Sequence, residues 1–155
     1  MGAGLMTASM RIGEVAERLG ITTRTLRYYE ELGLVTPSAH SAGGARRYSD
    51  EDFARVARVR ELQAVMGFNL DEIRELLYAD DRMMQLRSEY RAGTSATRAN
   101  EIINEAARLN ARTQEQVLAK IAVLQAYHLE LVGEAERRRV LAEERGLVIS
   151  VSTAG

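Results

Sequence analysis

The chain has 155 residues, 46% hydrophobic and 28% charged, with a formal net charge of −1, a balance that fits one ordinary globular domain or a small domain plus an extended element. No apolar run approaches the roughly 20 residues that span a bilayer. With no cysteine and only His40 and His128, far apart in sequence, disulfides, thiolate metal sites and thiol nucleophiles are excluded, and no metal site, cofactor or enzymatic centre is expected.

In chain order, residues 1–9 lack a basic flank and a continuous apolar stretch, so a flexible leader rather than a signal peptide is expected, and with it a cytoplasmic location. Ile12, Val15, Ala16 and Leu19 then recur at i, i+3, i+4 and i+7, one apolar helix face. Gly20 suits the position after that helix, where positive φ costs glycine little. Thr22 is a good N-cap for a second helix running to about Leu32, with Gly33 closing it. Two helices around a short glycine turn outline a helix-turn-helix.

Val35 and Thr36, then a turn containing Pro37, Gly43 and Gly44, then Arg46 to Tyr48 read as a two-stranded hairpin, which after a helix-turn-helix would be a wing. Ser49 with Asp52 forms a capping-box pattern for a third helix carrying Phe53, Val56, Val59, Leu62 and Met66. Asn69 with Glu72 opens a fourth, carrying Leu70, Ile73, Leu76 and Leu77. Residues 10–78 are therefore expected to share one compact core.

Periodicity fades over 79–97, read as a linker in which Met83–Tyr90 forms a short helix. From 98 to 146 the composition is helix-forming and has no proline. Val117, Ile121, Leu124, His128 and Leu131 are spaced 4, 3, 4, 3, the a/d rhythm of a coiled coil. The same register meets Asn110 and Gln114 before this run and Ala135 after it, so the seam is short and partly polar. A second copy of the chain is the natural partner, antiparallel about a two-fold axis. At the seam His128 is expected to set register, as a buried Asn does. Residues 147–155 are a short apolar tail, either β-prone and packed on the dimer or without fixed structure.

Residues 10–60 contain nine arginines against seven acids, an excess too small to argue by itself. Placement matters more, because counterion release rewards the arginines that reach phosphates. On the second helix Arg24, Arg27, Tyr28 and Glu31 fall at i, i+3, i+4 and i+7 and share one face, while Leu26 and Tyr29 lie roughly opposite. Arginines make bidentate contacts to phosphate or guanine, and a tyrosine hydroxyl adds a donor. Arg46 and Arg47 on the wing would grip phosphates at an adjacent groove. Glu31 is expected to orient an arginine.

The stretches "RIGEVAERLGITTRTLRYYEELGLVTP", "ARRYSDEDF" and "GFNLDEIRELL", in that order over about half the chain, resemble the DNA-binding domain of the MerR family of bacterial transcription regulators. The resemblance implies a mainly α fold: a winged helix-turn-helix with a small β-hairpin wing, then a long helix that makes an antiparallel coiled-coil homodimer. It implies Arg27 and Tyr28 as recognition-helix contacts to double-stranded DNA, and Arg46, with Arg47 or Tyr48, as wing contacts. Arg24 falls at a variable family position and rests on the face argument alone. The implied mechanism is binding to a palindromic promoter operator, whose overlong spacer the dimer bends and untwists for RNA polymerase. The energy of that deformation depends on base steps the protein need not touch.

Departures narrow the input signal. Metal-sensing and redox members of the family use cysteines, and this chain has none. Drug-sensing members append a large ligand domain, whereas only about ten residues follow the long helix here. What remains is a small organic effector between the DNA-binding domain, the Met83–Tyr90 segment and the partner's helix, with Met83, Met84, Leu86 and Tyr90 as candidate lining. The alternative is a constitutive or architectural DNA-bending protein without a ligand.

Overall fold

In the computed structural model, residues 9–149 are described. They comprise β1 (Met10–Arg11), α1 (Ile12–Leu19), α2 (Thr23–Glu31), β2 (Ala39–His40), β3 (Arg46–Tyr48), α3 (Asp50–Ala64), α4 (Leu70–Ala92) and α5 (Ala96–Glu144). The chain divides into two compact units, one up to Ala106 and one from Ala107 onward. The expected leader lies outside the described residues except Ser9, and the expected tail except its first three positions.

In the first unit, local chemistry sets the helix boundaries. Gly20 takes φ 63°, and its N–H and that of Ile21 return to the carbonyls of Glu17 and Ala16, which stops α1 and aims the chain into α2. A Cβ at Gly20 would meet only the end of the Arg60 side chain, at 3.7 Å, so the backbone angle is the constraint. The Thr22 hydroxyl accepts from Thr25 N at 3.0 Å and starts α2. Ser49 and Asp52 complete a reciprocal capping box at α3, with N···O distances of 2.8 and 3.1 Å. Asn69 and Glu72 do the same at α4.

One core joins these elements. Val15, Leu26, Tyr29, Val56, Val59, Leu62 and Ile73 are buried, with Leu34, Val35 and Tyr48 closing it from the wing side. Met66, expected on the α3 stripe, lies beyond the end of that helix and is exposed.

The sheet corrects the hairpin expected from Val35 and Thr36. It has three antiparallel strands in the order β1-β3-β2, pairing Met10 with Tyr48, Arg11 with Arg47, Ala39 with Arg47 and His40 with Arg46. Val35 turns into the core instead of pairing. Pro37 has no N–H to donate, and Asp52 holds Ser38 through both its N–H (2.9 Å) and its hydroxyl (2.5 Å), so pairing begins only at Ala39.

The linker expected over 79–97 is likewise corrected. α4 continues without a break to Ala92, and only residues 93–95 separate it from α5. No helix breaker stands between Tyr78 and Gly93. The second half of α4 also has something to pack on: Leu86 is buried, as is Ile102 on the first turns of α5. Arg82 clamps Glu105 through Nε (2.5 Å) and NH2 (3.0 Å), and Arg98 clamps Glu89 at 2.7 and 3.0 Å. Two bidentate pairs thus tie α4 to α5 at separate levels.

The second unit is the remainder of α5 and the turn after it, where Gly146 takes φ 64° and Leu147 N–H returns to Ala142 O at 2.8 Å. Val117, Ile121, Leu124 and Leu131 are 39–58% exposed, and His128 is exposed beside them. Exposed apolar residues also extend past the expected stripe. Leu118 and Leu129 lie about 100° to one side of Val117 around the helix, with Val123 and Tyr127 comparably far on the other.

Candidate nucleic-acid interface

The face of α2 is split as helical geometry requires. Leu26 and Tyr29 are buried, and the Tyr29 hydroxyl donates to Gln63 Oε1 on α3 at 2.6 Å. Burial pushes that phenol's pKa up, against the opposing pull of the nearby Arg60 charge. Arg24, Arg27, Tyr28 and Glu31 border one open cleft with Thr25 between them. Tyr28 is 49% exposed. None of Arg24, Arg27 and Tyr28 has a hydrogen bond or ion pair to another described side chain, so their donors face solvent.

Other arginines of this unit do structural work. Arg55 donates to the Leu34 carbonyl at 2.6 Å and to Asp81 at 2.7 Å, and Arg74 donates to the Leu32 carbonyl at 3.3 Å. These contacts satisfy carbonyls just past the end of α2 and brace it from α3 and α4. Arg18 stacks its guanidinium 5.6 Å from the Phe53 ring centre.

The wing carries a correction and an omission. Tyr48, expected as a DNA contact, is fully buried. Alternation along β3 puts Arg46 and Tyr48 on one side of the strand and Arg47 on the other. The side bearing Tyr48 faces α2. The omission is Glu30. Its carboxylate accepts from Arg46 Nε at 2.6 Å through one oxygen and from the Tyr48 hydroxyl through the other. Its side chain is only 11% exposed, against 45% for Arg46. The Arg46 terminal nitrogens make no hydrogen bond to another described residue. Burial, and then the bond to Glu30, push the Tyr48 phenol well above its ordinary range. The charges of Arg46 and Arg27 pull that phenol's pKa the other way. Glu31, expected to orient an arginine, is exposed; the residue before it has that role. Sequence spacing places both acids on α2, but only the tertiary fold shows which one meets the wing.

The candidate effector residues fall on the α4–α5 hairpin. Met83, Leu86 and Tyr90 line an apolar groove of about 250 Å³ together with Ile102, Ile103 and Ala106. Its second wall is therefore α5 of the same chain rather than a partner's helix. Met84, at 67% exposed, is not part of it, because it sits roughly 100° around α4 from Met83.

Residues 10–80 match the sequence profile of the MerR HTH family regulatory protein. Over 80 residues the chain is 38% identical to the HTH-type transcriptional regulator YfmP of Bacillus subtilis, a match covering 52% of this chain and 56% of that protein. Over 134 residues it is 29% identical to the HTH-type transcriptional regulator CueR of Salmonella typhimurium, covering 86% and 80% of the two. The chain thus spans little more than half the length of YfmP and four-fifths of CueR. Among solved structures, HiNmlR, a MerR family regulator lacking the sensor domain and bound to promoter DNA, superposes with a TM-score of 0.54 over 90% of this chain and 97% of that one. At 23% identity that likeness is one of fold. These relatives are transcriptional regulators rather than enzymes.

Proposed function

Because residues 10–80 carry a MerR-family helix-turn-helix domain, we propose that this protein is a homodimeric, sequence-specific transcription regulator. It binds a palindromic promoter operator and acts by bending and untwisting the spacer DNA for RNA polymerase. The observation that carries the reading is the presence on one domain of the free Arg24–Arg27–Tyr28 face of α2 and the half-exposed Arg46 of the wing, with Arg47 half-buried on the other side of β3. Recognition-helix donors read base edges or phosphates, while wing arginines hold the flanking backbone and fix register. Two such units related by a two-fold axis would address two half-sites.

The dimer reading rests on the exposed stripe of Val117, Ile121, Leu124 and Leu131 with His128 among them. These aliphatic side chains are 39–58% exposed, so covering what remains is worth about half of the roughly 1.5–3 kcal/mol of full burial for each, and the stripe favours a partner. The effector reading rests on the α4–α5 groove and names a small organic molecule as its occupant. A regulator of promoter DNA works where bacterial DNA is, in the cytoplasm.

The test is enrichment of bound duplexes from a random pool, followed by anisotropy at fixed salt. A regulator separates its enriched site from unrelated DNA by about 4–10 kcal/mol. Equal affinity for all duplexes overturns sequence-specific regulation in favour of an architectural role. Arg27→Ala and Tyr28→Phe should both weaken operator binding, Arg27→Ala by about 1–3 kcal/mol if it reads a base. If neither does while the fold stays intact, α2 is not the reading helix.

A further inference from the structure

The two flanks of the α4–α5 hairpin are built differently. On one, Arg82 and Glu105 form a bidentate pair beside Tyr78, Asp81 and Gln85. The other is the apolar groove, and at its edge stand Arg87 and Arg91, one helical turn apart on α4. Both are exposed, and neither has an ion pair or hydrogen bond with another described residue. On this hairpin Arg82 and Arg98 are each matched by carboxylates. The cations beside the groove are not.

From this contrast we infer that the groove takes a small organic anion: an apolar body, aliphatic or aromatic, carrying one carboxylate or sulfonate. The inference deepens the effector reading above and rests on it. The apolar body would lie against Leu86 and Ile102 at the base, with Met83 adapting to its shape. Ligand pockets usually measure about 300–1,000 Å³, so a volume of about 250 Å³, just below that range, selects a compact molecule. The anionic end would meet the guanidinium groups of Arg87 and Arg91, whose planar donors match a carboxylate in two-point geometry. The Tyr90 hydroxyl adds a neutral donor at the same edge. A cationic ligand would face two positive charges and no carboxylate among the described lining residues, so the groove discriminates by sign.

The experiment uses the full chain and three probes with a matched apolar body: decanoate, decanol and decyltrimethylammonium. Each is titrated calorimetrically below its aggregation threshold. Decanoate should bind at least about tenfold more tightly than decanol, as charge-assisted hydrogen bonds imply, and the cation should give no binding heat. Arg87→Gln combined with Arg91→Gln should erase the preference for decanoate over decanol. Ile103→Trp, at the exposed mouth, should reduce binding of both. Equal binding of all three probes, no binding of decanoate, or a preference that survives the double glutamine variant overturns the inference. So does a groove closed by a second copy, seen as Ile103→Glu converting dimers to monomers while no probe binds the wild type. Operator binding is measured separately. Loss of the ligand result alone leaves the DNA-binding reading intact, and a chain that binds decanoate but no DNA overturns that reading instead.

Discussion

Glu30→Gln separates two roles that a carboxylate in a DNA-binding face can have. As a mere negative charge, Glu30 would repel phosphate, and removing it would tighten binding to every duplex. As a positioning group, it holds Arg46 by Nε at 2.6 Å and the Tyr48 hydroxyl with its other oxygen, and its loss frees the wing arginine. Glutamine keeps one acceptor and cannot serve both donors. Loss of one hydrogen bond to a charged group costs about 1.5–3 kcal/mol, less what water returns to the half-exposed Arg46. A fall in Tm of about 2–4 °C per kcal/mol is expected for a chain of this size. If Arg46 then no longer holds its phosphate, the slope of log K against log salt flattens by about 0.9 per duplex half-site, or roughly eightfold in affinity at 0.1 M salt. The assay is anisotropy on operator and unrelated duplexes across a salt series, for Glu30→Gln, Arg46→Ala and both together. The expected result is a flatter slope in each single variant and no further flattening in the pair. Tighter binding to all duplexes with an unchanged slope would refute the positioning argument.

Three further outcomes follow from the same geometry. Tyr48→Phe removes a buried donor, so it should cost about 1 kcal/mol in denaturant unfolding and leave the salt slope unchanged; a lower slope at unchanged stability would return Tyr48 to the DNA surface. Burial pushes the Asp52 carboxyl up, but its hydrogen bonds from Ser38 and Ser49 outweigh this and hold it below its ordinary pKa. Its contribution is therefore complete above the unfolded value of about 3.9 and fades as pH falls through the folded one, so Asp52→Asn should shallow the acid limb of a stability–pH curve. Ile121→Asp with Leu124→Asp places charges on the exposed α5 stripe and should yield monomers in sedimentation; an intact dimer would move the interface to another side of α5, where Leu118, Leu129, Val123 and Tyr127 are also exposed.

What could be read from sequence was whatever depends on neighbours within a turn or two. The caps at Thr22, Ser49 and Asn69, the stop at Gly20, and the division of α2 into a buried Leu26–Tyr29 side and an open Arg24–Arg27–Tyr28 side all follow from helical spacing and backbone hydrogen-bond needs. The two-residue strand β1 escaped because two residues cannot show alternation. The continuation of α4 past Tyr78 escaped because weak periodicity resembles a loop until a partner surface is present, here the first turns of α5. Tyr48 was misplaced for a related reason: a tyrosine beside two arginines reads as a surface group until the strand's inward side is known. Which acid meets which arginine is a question of distance across the fold. Glu30 and Arg46 are 16 residues apart, and only the docking of β3 against α2 brings them to 2.6 Å. The same holds for Arg82 with Glu105, and for the lack of any such match at Arg87 and Arg91. Sequence by itself determined where α2, α3 and α4 begin and which side of α2 is free. Tertiary packing decided which charges cancel and which remain available, because charge pairing depends on separations that local spacing does not set.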